Sequence, residues 1–269
     1  MNVLSLFDGI SCGQLALNRA SISYNKYIAS EIDKHSLKIT KRNFPNTIHI
    51  GDVNNWKKNY FLCTNQIDLL LAGSPCQGFS RSGTYLNFAD KQSKLFFKFI
   101  EIFNEAKPKY FLLENVVMKK EWENIITEYL NVDPVRINSS LISCQNRDRL
   151  YWTNIPIDKN LFKDKSIMLK DIIGEYKGID VYPRGSNKGG LKWYKGKCPT
   201  ITCSSWQNNF FIVDNNNNKR KFTTKECEQI QTIPIGYTKG IANTYRYKVI
   251  GNSWTVDVIS NILKGIKNE

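Results

Sequence analysis

Short apolar runs alternate with longer amphipathic stretches over the first 142 residues, and no other feature of the sequence constrains the fold as strongly. The runs have the length and residue types of buried strands, and the stretches between them carry apolar residues at helical spacing. The predicted strands are 3–6, 27–30, 47–50, 67–72, 110–113 and 135–142. The predicted helices are 12–19, 34–43, 91–106 and 122–130. Strands that alternate with helices form a mostly parallel sheet with helices on both faces, so the sequence predicts a doubly wound α/β fold.

The alternation stops after residue 157. Glycines crowd the basic stretch that follows, at positions 174, 178, 185, 189, 190 and 196, and residues 215–218 are all asparagine. Helical periodicity then returns at 223–233 and 254–266. We therefore expect a first domain at 1–157, a small lobe at 158–222, and a return segment at 223–269 that completes the first domain.

Cysteine usage and chain length point to an intracellular globular protein. A chain of 269 residues with 41% hydrophobic content can bury a sizeable core. The seven cysteines form no CxxC pair or Cys/His cluster, so we expect reduced thiols, no metal and a cytoplasmic location. The first residues carry no basic leader and soon reach Asp8, so we expect neither a signal peptide nor a membrane span.

Net charge suggests a polyanionic partner. The formal charge is +14, and residues 177–197 hold six lysines or arginines against Asp180 alone, with Tyr182, Trp193 and Tyr194 among them. Lysine-rich codon usage is the alternative explanation, but it would scatter positive charge along the whole chain. Cations that neutralise phosphates and aromatic rings that stack on bases favour a nucleic-acid surface.

Polar residues follow the first three predicted strands, and ligands of open α/β sheets bind beyond such strand ends. The sequence FDGISCG at 7–13 contains glycines that let the backbone approach a ligand above a helix N-terminus. Glu31 follows the second strand, where a carboxylate can accept hydrogen bonds from a ribose diol. Asp52 and Val53 follow the third and offer an acceptor and an apolar contact for adenine. Each residue alone fits a turn, a surface charge or a helix cap, but together they favour an adenosine site.

Cys76 follows the fourth strand within GSPCQGFS. A cysteine in such a place is usually a small buried hydrophobe. Here Pro75 restricts the strand exit and Gly78 and Gly83 flank a polar loop, so the thiol is placed at the ligand end of the sheet as a candidate nucleophile.

Charged residues also follow the fifth strand and occupy the next hairpin. Glu114 lies in LLENV, and Arg147 and Arg149 lie in QNRDRLYW. A carboxyl group can protonate a ring nitrogen while an arginine holds a carbonyl oxygen, which together with a thiol suits attack on an electron-poor pyrimidine. A buried salt bridge between Glu114 and Arg149 is the structural alternative, and the two readings are compatible.

The motifs FDGISCG, SEID, GDV, GSPCQGFS, LLENV, QNRDRLYW and GNSWTV occur in the order and spacing of the cytosine-5 DNA methyltransferase family. The chain resembles that family over nearly its whole length except about 159–197. FDGI, ENVV and the tryptophan of GNSW are most similar to the subgroup that contains the mammalian de novo DNA methyltransferases. The resemblance implies an S-adenosylmethionine-dependent methyltransferase fold with a small target-recognition lobe, and duplex DNA as the substrate.

The resemblance also implies a set of donor-binding residues and a reaction. S-adenosylmethionine would be held by Phe7, Asp8, Gly9, Ile10, Ser11, Cys12, Glu31, Asp52, Val53, Pro75, Asn252, Ser253 and Trp254. Cys76 would attack carbon 6 of a flipped cytosine, Glu114 would engage ring nitrogen 3, and Arg149 would hold the base and help to polarise it. Arg147 of the same motif is a further catalytic candidate. Loop residues Arg81 and Ser82 would close on the DNA, and Arg184, Lys188 and Lys192 of the lobe would contact it.

Two departures from the family and two rival functions accompany this interpretation. Ser11 and Cys12 stand where many relatives have glycine, and the lobe is short, so a homodimer would help one chain to grip DNA. The rivals are an RNA (tRNA) cytosine-5 methyltransferase of the same fold and a catalytically silent DNA-binding homologue, although intact Cys76, Glu114, Arg147 and Arg149 argue against silence. The sequence leaves open the recognition site and the role, whether in restriction-modification, in a phage or as an orphan enzyme.

Overall fold

The computed structural model describes residues 1–58, 66–73, 93–183, 188–204 and 210–267. Within these residues, seven strands form one sheet and four strands form a second. The first sheet contains β1 (Asn2–Leu6), β2 (Lys26–Ser30), β3 (Ile48–His49), β4 (Leu69–Gly73), β5 (Tyr110–Val116), β6 (Val135–Asn138) and β7 (Asp148–Thr153). The second contains β8 (Gly178–Val181), β9 (Gly190–Lys192), β10 (Phe210–Val213) and β11 (Lys219–Arg220).

The large sheet has the strand order β3-β2-β1-β4-β5-β7-β6, with β1 to β5 parallel and β7 antiparallel to both of its neighbours. Its central strands are mostly apolar because both faces are covered; Leu4, for example, pairs with Ile28 on one side and Leu70 on the other, and all three are buried. The doubly wound, mostly parallel α/β fold predicted from the sequence is confirmed.

Helices begin where local side chains satisfy the first free backbone N–H groups. Asp33 caps the second helix by accepting from the N–H groups of His35 and Ser36, and Thr223 and Glu226 form a capping box at the start of the return segment. The helices are α1 (Cys12–Arg19), α2 (Lys34–Asn43), α3 (Ser93–Ala106), α4 (Lys120–Leu130), α5 (Lys170–Ile173), α6 (Thr224–Ile230), α7 (Asn243–Asn252) and α8 (Val256–Leu263). In the described part of the chain, none of them is long and apolar enough to cross a bilayer.

The predicted strand 135–142 is wrong in its second half. The strand ends at Asn138, whose side-chain oxygen accepts from the N–H groups of Ser140 and Arg147 and so replaces ladder hydrogen bonds with local ones. A single 3₁₀ turn follows at Ser139–Leu141, and the chain returns as β7 between β5 and β6. This hairpin brings Arg149 opposite Val116 at the end of β5.

The small sheet and the return segment share a core with the large sheet. One hydrophobic cluster includes Leu71 of β4, Ile212 of β10 and Ile259 of α8. The small sheet has the order β11-β10-β8-β9 and lies within residues 178–220, while α8 packs against α1. The exact division at 157 and 222 stays a prediction.

Candidate active site

The turn after β1 has an unusual backbone. Phe7, Gly9 and Ser11 all adopt positive φ, near +57°, +60° and +61°, and Ser11 is the residue that precedes α1. The left-handed conformation is unfavourable for a residue with a side chain, so this turn needs support from its surroundings. The Asp8 and Ser11 N–H groups supply part of it by donating to the carbonyls of Ser30 and Asp8.

The Asp8 side chain stabilises this turn through hydrogen bonds. Its carboxylate accepts from the Tyr27 hydroxyl at 2.7 Å and from the Ser11 hydroxyl. Burial raises the pKa of Asp8 to about 6, despite these hydrogen bonds. Gly13 is required beside this group, because a Cβ there would collide with the Tyr27 hydroxyl. The Asp8 side chain therefore acts within the fold, and only its backbone is left to meet a ligand.

Glu31 connects the ends of β1 and β2. Its carboxylate accepts from the Gly9 N–H at 2.8 Å and from the N–H groups of Ile32 and Asp33 at 2.7 Å each. After β3, Asp52 accepts from the Asn54 backbone and side chain at 2.9 Å, and Val53 is buried beside it. The structure thus brings the three predicted adenosine-binding positions to one edge of the sheet.

Ser253 and Trp254 of the return segment close the same edge. The Trp254 indole lies against Gly73 so closely that a Cβ on this glycine would be 2.8 Å from Nε1. The Cys12 thiol lies next to Ser253 and Trp254, and burial raises its pKa to about 12, which keeps it protonated. Asn252 is exposed. Cys12 is therefore a packing residue and not a rival nucleophile.

Glu114 and Arg149 form an ion pair at the end of β5. Arg149 Nε is 2.9 Å from Glu114 Oε1, and the two side chains are only 14% and 11% exposed. Glu114 also lies opposite Gly73 in the pairing of β5 with β4. The pair therefore sits beside the point from which the chain continues to Cys76, three residues after Gly73. The predicted salt bridge and the predicted site residues are the same two side chains.

Arg147 has different partners. It is 6% exposed, and its guanidinium donates to the carbonyls of Ile201 at 3.1 Å, Gly251 at 3.4 Å and Ser253 at 3.0 Å. Two residues to which sequence reasoning assigned no role share this region: Gln145 and Gln231 are fully buried and hydrogen-bonded to each other. Gln145 belongs to the QNRDRLYW motif, so that motif could have identified it as a functional residue. No motif in the neighbouring sequence identifies Gln231.

The small lobe presents aromatic and basic side chains. Trp193 stacks on Tyr176 with ring centroids 5.1 Å apart and is 53% exposed. The pair lines a cavity of about 470 Å³ together with Lys170 and Lys195. Lys188 is exposed, and Lys192 is partly buried in β9.

Several predicted site residues lie outside the described residues: Pro75, Cys76, Arg81, Ser82 and Arg184. Their roles stay predictions. Within the described ranges, the structure contains no group of three or more His, Cys, Asp or Glu side chains arranged to hold a metal ion.

Comparison with known sequences agrees with this geometry. A profile of the family described as C-5 cytosine-specific DNA methylase matches residues 1–160 and 136–268. The orphan methyltransferase M.SPRI of Bacillus phage SPR is 32% identical over 201 residues, which cover 70% of this chain and 44% of the phage protein. M.Rho11sI of Bacillus phage rho11s, also an orphan methyltransferase, is 34% identical over 171 residues, covering 59% and 33%. The chain thus spans less than half the length of these two relatives. The type II methyltransferase M.Bsp6I of Bacillus sp. (strain RFL6) is 27% identical, with 99% of this chain and 98% of that one covered.

Solved structures share the fold. The Entamoeba histolytica methyltransferase EhMeth superposes with a TM-score of 0.74 at 17% identity, over 98% of this chain and 97% of that one. The S. pombe Dnmt2 methyltransferase gives 0.70 at 20% identity, over 98% and 97%. At such identities these neighbours show the fold alone, and the likeness to the de novo subgroup stays a prediction. The family profile, which covers nearly every residue, places this chain in the C-5 cytosine-specific DNA methylase family, as its motifs predicted.

Proposed function

We propose that this protein transfers a methyl group from S-adenosylmethionine to carbon 5 of a flipped cytosine in duplex DNA, through a covalent adduct with Cys76. The observation that carries the proposal is the buried Glu114–Arg149 ion pair beside Gly73, three residues before Cys76. A carboxyl group, a guanidinium and a thiol at one sheet edge supply the groups that nucleophilic attack on a pyrimidine needs.

The donor site is assigned to the ends of β1, β2 and β3. A Cβ added at Gly9 or Gly51 would meet no atom within 4 Å, so there is open space at two of these strand ends. Glu31 and Asp52 retain carboxylate lone pairs for a ribose and an adenine amino group, and Val53 supplies an apolar contact. These residues fit S-adenosylmethionine, which supplies an electrophilic methyl group when it is bound. Trp254, packed on Gly73, borders this site.

Cys76 and the ion pair carry out the work on the base. The Cys76 thiolate adds to carbon 6, and the ring electrons move to carbon 5, which becomes nucleophilic enough to take the methyl group. Glu114 holds a proton at ring nitrogen 3. Arg149 keeps the base in position while the ring electrons move to carbon 5. Loss of the carbon 5 proton then expels the thiolate and restores the ring.

The recognition lobe is assigned to residues 158–222, between two parts of the catalytic domain at 1–157 and 223–269. Its exposed Trp193 and its lysines support DNA binding, because aromatic rings stack on bases and ammonium groups neutralise phosphate. Arg184, Lys188 and Lys192 are proposed DNA contacts, and Arg81 and Ser82 are proposed to close on the DNA from the Cys76 loop. A cytoplasmic or nucleoid location and a homodimer complete the proposal, and a role in restriction-modification is supported by the name of the type II relative.

A covalent trap tests the mechanism. The protein is incubated with labelled donor and duplex DNA that carries 5-fluorocytosine, whose fluorine cannot leave as a proton does. The expected result is a donor-dependent adduct that survives denaturation and maps to the peptide containing Cys76, with none formed by Cys76→Ser.

Ordinary duplex DNA and tRNA serve as parallel substrates in the same assay. Label transfer to tRNA but not to duplex DNA contradicts the proposed substrate. An adduct at Cys203, which is partly exposed, contradicts the proposed nucleophile.

A further inference from the structure

Three buried side chains join the catalytic hairpin, the segment of the recognition lobe between β9 and β10, and the donor-side turn that contains Ser253. We call Gln145, Arg147 and Gln231 the junction network. Gln145 and Gln231 have no exposed surface, and Arg147 is 6% exposed. Buried polar groups must be hydrogen-bonded, so the partners of these three side chains report which backbone segments they hold.

On the lobe side, the network holds both polar backbone groups of Ile201. The Ile201 N–H donates to Gln145 Oε1 at 2.7 Å, and its carbonyl accepts from Arg147 at 3.1 Å. Backbone bonds run alongside: the Asn146 N–H donates to the Cys198 carbonyl at 2.8 Å, and the Cys198 N–H donates to the Cys144 carbonyl at 2.6 Å. The segment of the lobe between β9 and β10 is therefore fastened to the hairpin that carries Arg149.

On the donor side, the network holds the turn before Trp254. The Ser253 carbonyl accepts from both Arg147 at 3.0 Å and Gln231 at 3.2 Å, and the Ile250 carbonyl accepts from Gln231 at 3.0 Å. Gly251 allows the close packing here, since a Cβ would collide with the Thr202 backbone. Ser253 and Trp254 are the residues that contact Cys12 and Gly73 at the donor edge.

The lobe-side and donor-side parts of the junction network meet at the side-chain amides of Gln145 and Gln231. Gln145 Nε2 donates to Gln231 Oε1 at 2.9 Å, and Thr255 donates to the same oxygen at 2.9 Å. A shift of the lobe segment at Ile201 therefore disturbs Gln145 and Arg147, and through them the carbonyl of Ser253.

We propose that Arg147, Gln145 and Gln231 are positioning residues that couple the recognition lobe to the donor-side turn, so that DNA on the lobe and the methyl donor raise each other's affinity. The inference rests on the proposed function, and it gives Arg147 a role in this coupling. Coupling between two binding sites is reciprocal and typically lies between about 5-fold and 150-fold.

The test is a ratio of donor affinities. Calorimetry measures the dissociation constant for S-adenosylmethionine with and without a saturating duplex that the wild type methylates. We expect at least about a fivefold tightening by DNA in the wild type, reduced to less than about twofold in Gln231→Leu, which keeps the side-chain volume and removes the amide.

Asn261→Leu is the matched control. Asn261 is also a buried amide that donates to a distant carbonyl, that of Leu161 at 2.9 Å, but it contacts neither the hairpin nor the donor-side turn through its amide nitrogen. We expect its ratio to equal that of the wild type. Arg147→Lys keeps the charge but loses the planar guanidinium. If Gln231→Leu does not fold, the ratio of donor affinities with and without DNA is measured for Arg147→Lys instead.

The outcomes separate the two proposals. A wild type that methylates DNA but shows no tightening, or variants that bind donor more weakly by the same factor with and without DNA, overturn the coupling and leave the proposed function standing. A wild type that binds donor but methylates no duplex DNA overturns the proposed function itself.

Discussion

The strand ends of the large sheet and the surface of the small lobe differ in how their side chains are held: the first are paired and almost buried, and the second are exposed. At the sheet edge, Glu114 and Arg149 are paired and almost buried, and Glu31 has three backbone donors. On the lobe, Tyr182, Leu191 and Trp193 are all more than half exposed, and β11 has only two residues. Groups that react must be held in place before the substrate arrives, whereas groups that read DNA must remain free to adapt to it. Substitutions at the edge should therefore affect chemistry or donor binding, and substitutions on the lobe should affect DNA binding.

The largest effect is expected at Glu114. Glu114→Gln keeps the size of the side chain but removes both its charge and its proton-donating carboxyl group, and we expect kcat to fall by about 10²–10⁴-fold. Single-turnover methylation of duplex DNA measures the loss. Glu128→Gln, an exposed change on α4, is the control and should retain the full rate. A Glu114→Gln rate within a factor of three of the wild type would mean that the ion pair is only structural.

A second effect follows from the buried Asp8. Its folded pKa of about 6 lies above the ordinary value of 3.8, so the folded state holds the proton more tightly than the unfolded chain. Asp8 therefore contributes most stability below pH 3.8, and that contribution is lost as the pH rises to about 6 and above. A shift of this size corresponds to about 3 kcal/mol.

Urea unfolding at pH 4 and pH 7 measures that contribution. The wild type should lose about 3 kcal/mol more between these pH values than Asp8→Asn does. Because the comparison is made between two pH values, the fixed cost of replacing a carboxylate with an amide cancels. Equal pH dependence in both proteins would show that Asp8 is not titrating in this range.

The two carboxylates that we propose bind the donor should give the next effect. Glu31→Ala and Asp52→Ala should each weaken S-adenosylmethionine binding by about 1–3 kcal/mol, the usual cost of leaving buried polar partners unpaired. Glu31→Ala should also lower the melting temperature, because the N–H groups of Gly9, Ile32 and Asp33 lose their acceptor. Calorimetry and thermal unfolding separate the two consequences. Unchanged donor affinity in both variants would remove the adenosine site from this edge.

The smallest effect is expected on the lobe. Lys188→Gln should lower the slope of log affinity against log salt by roughly one unit if Lys188 contacts a phosphate, and donor affinity should stay the same. Fluorescence anisotropy with a labelled duplex at several salt concentrations gives the slope. Lys225→Gln, exposed on α6 outside the lobe, is the control. A similar decrease in both variants would indicate diffuse attraction and not a lobe-specific contact.

The sequence predicted the elements whose signals are local. The apolar runs of β1, β2, β4 and β5 gave recognisable strands because both faces of these strands are buried. The polar residues after these strands were identified as site candidates because parallel strands end at one edge of the sheet. Glu114 and Arg149 were therefore predicted together before their ion pair was known.

Local signals failed where hydrogen bonds override them. Asn138 ends β6 early because its side chain bonds the backbone of Ser140 and Arg147, and apolar content alone favoured a longer strand. Arg147 and Arg149 are two residues apart in one motif and were assigned to one role. The structure instead gives Arg149 to Glu114 and Arg147 to three backbone carbonyls.

By itself, then, the sequence determined the sheet and the family of the protein, because strand burial and short motifs depend on neighbouring residues. It also predicted the edge of the sheet at which ligands would bind. Tertiary structure alone decided which distant segments support that edge. Gln145 meets Gln231 across 86 positions, and the Tyr237 hydroxyl donates to the Ile10 carbonyl across 227. Such partners share no periodicity and no fixed spacing, because each bond depends on where two separately folded segments come to rest against each other.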